Sequence, residues 1–205
     1  MAFNLNSQPC PRKPPHWTPT FAFITRSRAI LYSTSAHIAA QVVGPQGKVI
    51  AFEPDPLNVE LLRHNVARYH LSNVIVAQVA ISDTNGIAAF NSDGSLGSAL
   101  TLALSRPSTH ETIEVRPVTF ETACAEFGVP SFVKIDAEGA EIEIPSGAKT
   151  FLQSHPIHFV LDTSHMRDGH TTHTAVEDLL KGCGYKDVSD FDSGGFMTTW
   201  ASPYA

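Results

Sequence analysis

Three acidic residues stand where short apolar runs end: Glu53 after Lys48–Phe52, Asp136 after Phe132–Ile135, and Asp162 after Ile157–Leu161. Such runs, bounded by Pro or Gly, read as buried parallel strands. In an open sheet of parallel strands, ligands bind beyond the strands' carboxyl ends, where the strand order reverses. A carboxylate ending the second strand has two oxygens that match a vicinal diol, so Glu53 suits a ribose. A bland role is equally available to it, as a strand-end carboxylate satisfied by nearby backbone N–H groups. Asp136, Glu138, Gly139 and Glu141 form the densest acidic cluster in the chain. Gly139 permits close backbone approach, and Glu138 with Glu141 falls where a helix start would favour negative charge. Asp136 is the stronger chemical candidate, because a carboxylate at a buried strand end needs partners.

Histidines crowd the later chain at 155, 158, 165, 170 and 173. His165 follows the strand ending at Asp162 and is placed to face the same cleft. The His170 and His173 pair lies in a polar stretch with no cysteine or matched carboxylate, so a solvated loop is expected there and no metal. His64 and His70 read as surface residues.

The elements that must position these groups alternate. Asp55 caps a helix with Pro56 at its first turn, and Leu61, Leu62, Asn65, Val66 and Tyr69 recur at helical spacing. Asn73–Ala80 is the next strand. Residues 86–90 and 113–118 read as shorter strands, separated by a polar loop over 91–112. Thr119–Phe127 is a short helix stopped by Gly128 and Pro130. A helix is expected from Glu138, interrupted at Pro145. A further helix spans Thr174–Cys183, and strands near Tyr185–Phe191 and Phe196–Trp200 are close enough to pair as a hairpin. This pattern predicts an α/β fold: a mainly parallel sheet with helices on both faces and a C-terminal antiparallel hairpin. The 91–112 loop and the 163–173 segment are expected to cover the cleft.

The 205 residues suit one domain with a real core. With 42% hydrophobic and 17% charged residues the composition is globular. A net charge of -6 argues against broad nucleic-acid binding, and no apolar run of about 18 residues suggests a membrane span. Cys10, Cys124 and Cys183 are far apart and lack zinc spacing, so reduced thiols in a cytoplasmic protein are expected. No acid precedes Glu53, whereas Arg12, Lys13, Arg26, Arg28 and Lys48 do. That acid-free, Pro-rich start reads as a solvated arm, with an organellar targeting segment as the alternative. Residues 1–33 are thus expected to be disordered or divergent, and 34–205 to form the domain.

The motifs together resemble the FkbM-type methyltransferases. Lys48–Pro56 with Asn58, Leu61, Leu62 and Asn65 is similar to that family's second-strand motif, and Ala80–Asp83 with Gly86 to its next segment. Phe132–Glu141 followed by Ser146–Ala148 resembles its most specific block. His155 and Pro156, before the strand ending at Asp162, fit as well, although the family more often has Glu at that strand end. The resemblance covers roughly residues 36–200 and implies a class I, Rossmann-like methyltransferase fold. It further implies S-adenosylmethionine as cofactor and a hydroxyl on a small-molecule or glycan-like acceptor as substrate. On it, Glu53 would hold the ribose, Val79 and Ala80 would lie near the adenine, and Glu138 would shape the site. Asp136 would sit beside the donor or acceptor as base or orienter, with His165 the second candidate base.

One stretch departs from the family. Where the family has a glycine-rich loop after its first strand, residues Thr25–Ser33 hold no glycine and no carboxylate. Side chains with a Cβ resist the positive φ that such a loop uses. The alternative reading is therefore a catalytically inactive binding module of the same fold. A nicotinamide-dependent oxidoreductase fits less well, because the GxGxxG pattern is absent. Neither the acceptor's identity nor the oligomeric state is legible in the sequence.

Overall fold

The structure, a computed structural model, describes residues 20–25, 29–92, 99–100, 111–192 and 196–204. The expected solvated arm and much of the 91–112 loop lie outside these residues. In the first part of the chain are β1 (Thr20–Thr25), α1 (Ala29–Val43), β2 (Lys48–Phe52), α2 (Pro56–Arg68) and β3 (Val74–Ala77). Then come β4 (Ala80–Ser82), β5 (Ala88–Ser92), β6 (Ala99–Leu100), β7 (Glu111–Val115), β8 (Pro117–Thr119) and α3 (Phe120–Phe127). The last part holds β9 (Phe132–Asp136), α4 (Glu143–Gly147), α5 (Lys149–Ser154), β10 (His158–Asp162), β11 (Met166–Arg167) and β12 (His170–Thr171). It closes with α6 (His173–Gly182), β13 (Asp187–Asp192) and β14 (Met197–Ser202).

Seven strands form the main sheet in the order β13-β14-β10-β9-β1-β2-β3. All neighbours pair in parallel except β14, which runs antiparallel to both β10 and β13. The chain winds outward from β1 to β3 and then returns to β9 on the other side of β1. The order therefore reverses between β1 and β9, where an open α/β sheet forms its ligand crevice. The sheet takes in Thr20–Thr25, upstream of the boundary expected at residue 34. The prolines before it and the absence of acids hid this short apolar strand within a segment that otherwise reads as solvated.

Helices cover both faces. On one, Ala36, Ala39, Ala40 and Val43 of α1 pack with Val49, Ala51, Leu62 and Val74. On the other, Ile50 and Phe52 join the main core with Phe120, Ala123, Val133, Ile135, Leu152, Phe159, Val176 and Leu180. β2 is buried on both sides, which is why it reads as an unbroken apolar run. β9 and β10 differ: Val133, Ile135, Phe159 and Leu161 are buried, whereas Lys134, Asp136, His158 and Asp162 are half-buried on the opposite face.

Caps fall where the residue types demand. Asp55 Oδ1 accepts from the backbone N–H groups of Leu57 at 2.9 Å and Asn58 at 3.4 Å, with Pro56 beginning α2. Thr119 Oγ1 accepts from Thr122 N–H at 3.1 Å and starts α3. The expected strand over 73–80 is interrupted: β3 ends at Ala77, and β4 leaves the main sheet to pair with β8. No helix begins at Glu138. Glu138 has φ 49° and Gly139 φ 99°, both left-handed, so the chain turns and α4 starts only at Glu143. Gly147 is needed for close approach, since a Cβ there would lie 2.5 Å from Asp83 Cα.

Candidate active site

The register defines the crevice. Thr25, the last residue of β1, is level with Asp136 on β9, and Ile24 is level with Phe52 on β2. Glu53, one residue beyond Phe52, therefore stands at the level of Thr25. The two carboxylates expected from the sequence occupy the same level, on either side of the carboxyl end of β1. Two inter-strand spacings separate their backbones, about 10 Å. Only residues 26–28 connect β1 to α1, and they lie outside the described residues.

Glu53 is 1% exposed. Its Oε1 accepts the Asp55 N–H at 2.8 Å, and its own N–H donates to Ala77 O at 3.1 Å. The turn made by Pro54 and Pro56 thus fixes the carboxylate's direction. Beside this turn lies a cavity of about 320 Å³ lined by Pro54, Pro56, Gln78, Ile113, Glu114, Val115 and Arg116. Val79 is half-buried against the main core. Ala80 is fully buried with Phe90 and Val115, so its side chain packs inside the protein. Gln78, which the sequence does not single out, is the residue of this segment on the cavity wall.

At the other end, Asp136, Glu138 and His165 come together. Lys134 Nζ lies 3.2 Å from Asp136 Oδ2, and His165 Nε2 lies 3.9 Å from Asp136 Oδ1 and 3.4 Å from Glu138 Oε2. Asp162 adds a third strand-end carboxylate, whose Oδ1 accepts from Ser164 N–H at 3.1 Å and Ser164 Oγ–H at 2.5 Å. One donor atom each from Asp136, Asp162 and His165 fall within 4.8 Å of one another. The sequence places each of the three at the cleft, and the pairing of β9 with β10 brings them within reach of one another.

Glu141 organises the cluster from behind. It is 0% exposed, and Oε1 accepts the Ala137 N–H at 2.7 Å while Oε2 accepts the Gly139 N–H at 3.0 Å. The same Oε1 stands 3.0 Å from His165 Nδ1. That contact is an ion-pair distance without hydrogen-bond alignment, which leaves Nδ1 a buried donor with a carboxylate as its neighbour. One buried carboxylate therefore pins the left-handed turn at 138–139 and places the imidazole. The sequence treats Glu141 as a helix-start charge. The signal that marks it is a carboxylate two residues after a glycine turn, since such a turn turns its N–H groups inward.

Burial disfavours a charged His165, but the adjacent Glu138 and Glu141 carboxylates outweigh it and push its pKa up to about 11. A ring held protonated at neutral pH donates rather than accepts, so this arrangement suits His165 to orienting neighbours more than to removing a proton. His170 lies in the β11–β12 hairpin and His173 at the start of α6. Arg167 pairs with Glu143, which ties the β11–β12 hairpin to α4. No helix among the described residues is long and apolar enough to cross a membrane.

The residues present fit an adenosyl cofactor. A buried carboxylate ends β2, a cavity opens beside it, and a second carboxylate stands across β1 at the reversal of strand order. Comparison with known proteins identifies the family and the fold. The profile of the methyltransferase FkbM domain matches residues 25–186. No curated protein matches the chain. Among solved structures, the methyltransferase FkbM from Methylobacillus flagellatus KT is similar at TM-score 0.57 and 13% identity, over 88% of this chain and 44% of that one. The Methanococcus jannaschii fibrillarin pre-rRNA processing protein is similar at TM-score 0.54 and 14% identity, over 90% and 66% of the two chains. A putative O-methyltransferase from Klebsiella pneumoniae follows at TM-score 0.50 and 10% identity, over 88% and 72%. At these identities the structural likeness establishes the class I methyltransferase fold. The chain spans less than half the length of the Methylobacillus protein.

Proposed function

The chain belongs to the FkbM methyltransferase family, and from that premise we propose that it methylates a hydroxyl on a small-molecule or glycan-like acceptor, using S-adenosylmethionine. The observation that carries this reading is the level placement of Glu53 and Asp136 on either side of the β1 end, at the switch point of the sheet. Glu53 would hold the ribose diol, and the cavity walled by Gln78 and Pro54 would take the adenine.

The cofactor, when bound, supplies a methyl group already activated on a sulfonium sulfur. What remains for the protein is alignment of the acceptor oxygen and removal of its proton. Asp136 performs both: Lys134 on Oδ2 and His165 near Oδ1 hold its carboxylate, which accepts the hydroxyl proton as the oxygen attacks. Glu138 and Glu141 hold His165, and Glu141 also holds the turn that follows Asp136. His165 is thus a positioning residue, with Asp136 as the base.

The test is transfer of a labelled methyl group to a panel of hydroxyl acceptors. Asp136→Asn should lower transfer about 100-fold or more while thermal unfolding is unchanged, the size expected of a lost general base. Unchanged transfer would reject Asp136 as the base. A second reading, a module that binds without catalysing, is favoured by one observation: only residues 26–28 link β1 to α1, and Thr25–Ser33 holds no glycine. Cofactor binding without transfer to any acceptor would select it.

A further inference from the structure

We propose that Arg167 is a positioning residue: its pairing with Glu143 holds the segment that carries His165 against the turn that follows Asp136. The bearing of this on catalysis rests on the methyl-transfer reading. Glu141 and Glu143 stand two residues apart beyond β9, and His165 and Arg167 stand two residues apart beyond β10. Glu141 Oε1 lies 3.0 Å from His165 Nδ1, and Glu143 Oε1 accepts from Arg167 Nη1. Two acids thus meet two basic side chains in two rungs between the same pair of segments. The first rung sets the imidazole, and the second sets the chain beside it.

The β11–β12 hairpin has little else to hold it. Its strands pair only Met166 with Thr171 and Arg167 with His170, and so short a ladder has little stability of its own. Its turn, at Asp168 and Gly169, is left-handed and exposed. Met166 is 59% exposed, so apolar burial does not press the hairpin onto the domain. The Thr172 N–H donates to His165 O at 3.0 Å across the hairpin's base, which puts His165 at the joint of a lightly held flap. Whatever fixes the flap therefore fixes the joint. Glu143 Oε2 is buried with no hydrogen-bond partner, so Arg167 offsets a carboxylate partly withdrawn from water. An ion pair in that setting is costlier to break than one at an open surface, because the carboxylate left behind is stranded.

The experiment pairs methyl transfer from labelled S-adenosylmethionine to the best acceptor of the hydroxyl panel with proton NMR of the full chain. Arg167→Met should lower kcat about 10-fold and leave KM for S-adenosylmethionine unchanged, as a displaced catalytic group does. Arg167→Lys, which keeps the charge, should recover most of that loss. Adding Glu143→Gln to Arg167→Met removes the stranded carboxylate, so the melting temperature should return close to that of the wild type while kcat stays low. Recovery of kcat along with the melting temperature would make the pair a matter of stability alone and overturn the proposal. Unchanged kcat in Arg167→Met would overturn it too. In the NMR spectrum the buried Nδ1 proton of His165 is identified by its loss in His165→Gln. It should exchange slowly in the wild type and in Arg167→Lys, and about 10-fold faster or more in Arg167→Met and in the double variant. Equal exchange in all of these forms would show that Arg167 does not place the ring. A wild type that methylates no acceptor, yet shows this exchange pattern, rejects the methyl-transfer reading and upholds the placement of His165 by Arg167.

Discussion

The ends of β2 and β9 carry carboxylates at the same level of the sheet, yet they hold them by different means. Glu53 is oriented by a backbone N–H two residues on, within a turn stiffened by two prolines. The strand before it is covered on both faces. Asp136 leans on charged side chains, one from its own strand and one beyond β10. Its strand is buried on one face and half-open on the other. The first arrangement suits a group that binds in one fixed direction. The second suits a group whose partners can exchange a proton or make room for a ligand. On the proposed reading, the end of β2 binds and the end of β9 carries the chemistry, on either side of β1.

The contrast can be broken most strongly from behind the β9 end. Glu141→Ala removes the acceptor for two buried N–H groups and the neighbour of a buried imidazole. A loss of about 3 kcal/mol in unfolding free energy is expected, measured by denaturant titration, since each orphaned buried group costs about 1–3 kcal/mol. A change below about 1 kcal/mol would mean that Glu141 does not organise the turn. At the β2 end the expected loss is smaller. Glu53→Ala leaves the Asp55 N–H without its acceptor, and the loss of that one bond should cost about 1–2 kcal/mol. Glu53→Gln keeps an acceptor oxygen there and should unfold close to the wild type. An equal loss in both variants would show that charge, not the local hydrogen bond, holds that end.

Dependence on pH sharpens the comparison with a smaller effect. The folded pKa of His165 is raised from 6.5 to about 11, so the ring binds its proton more tightly in the native state than in the unfolded chain. The stability this contributes is complete below about pH 6.5 and is lost as pH rises towards about 11. In chelator-containing buffer, the difference in melting temperature between wild type and His165→Gln should therefore shrink steadily from pH 6 to pH 10. Glu53→Gln should show no such trend. A constant difference for His165→Gln would mean that its ring is not held charged by Glu138 and Glu141.

The alternation of strands and helices, the cap at Asp55 and the C-terminal hairpin were all readable, because each follows from local residue type and period. β1 was not. Its apolar stretch is short and lies between prolines and a basic segment, so only pairing with β2 and β9 identifies it as the centre of the sheet. The strand-end carboxylates were legible for the same local reasons as the fold. What escaped was tertiary: Glu141 reads as a helix-start acid, although a left-handed Glu138–Gly139 turn delays the helix to Glu143. The meeting of Asp162 with Asp136 and His165 depends on the parallel pairing of β9 with β10, which no spacing along the chain reveals.

Whether the crevice at the end of β1 accepts an adenosyl group is measured directly by calorimetric titration of the full chain with S-adenosylhomocysteine. Micromolar binding is expected, weakened about 10-fold in Glu53→Gln by loss of a charge-assisted hydrogen bond to the ribose. No detectable binding to the wild type, or equal affinity in Glu53→Gln, would contradict it.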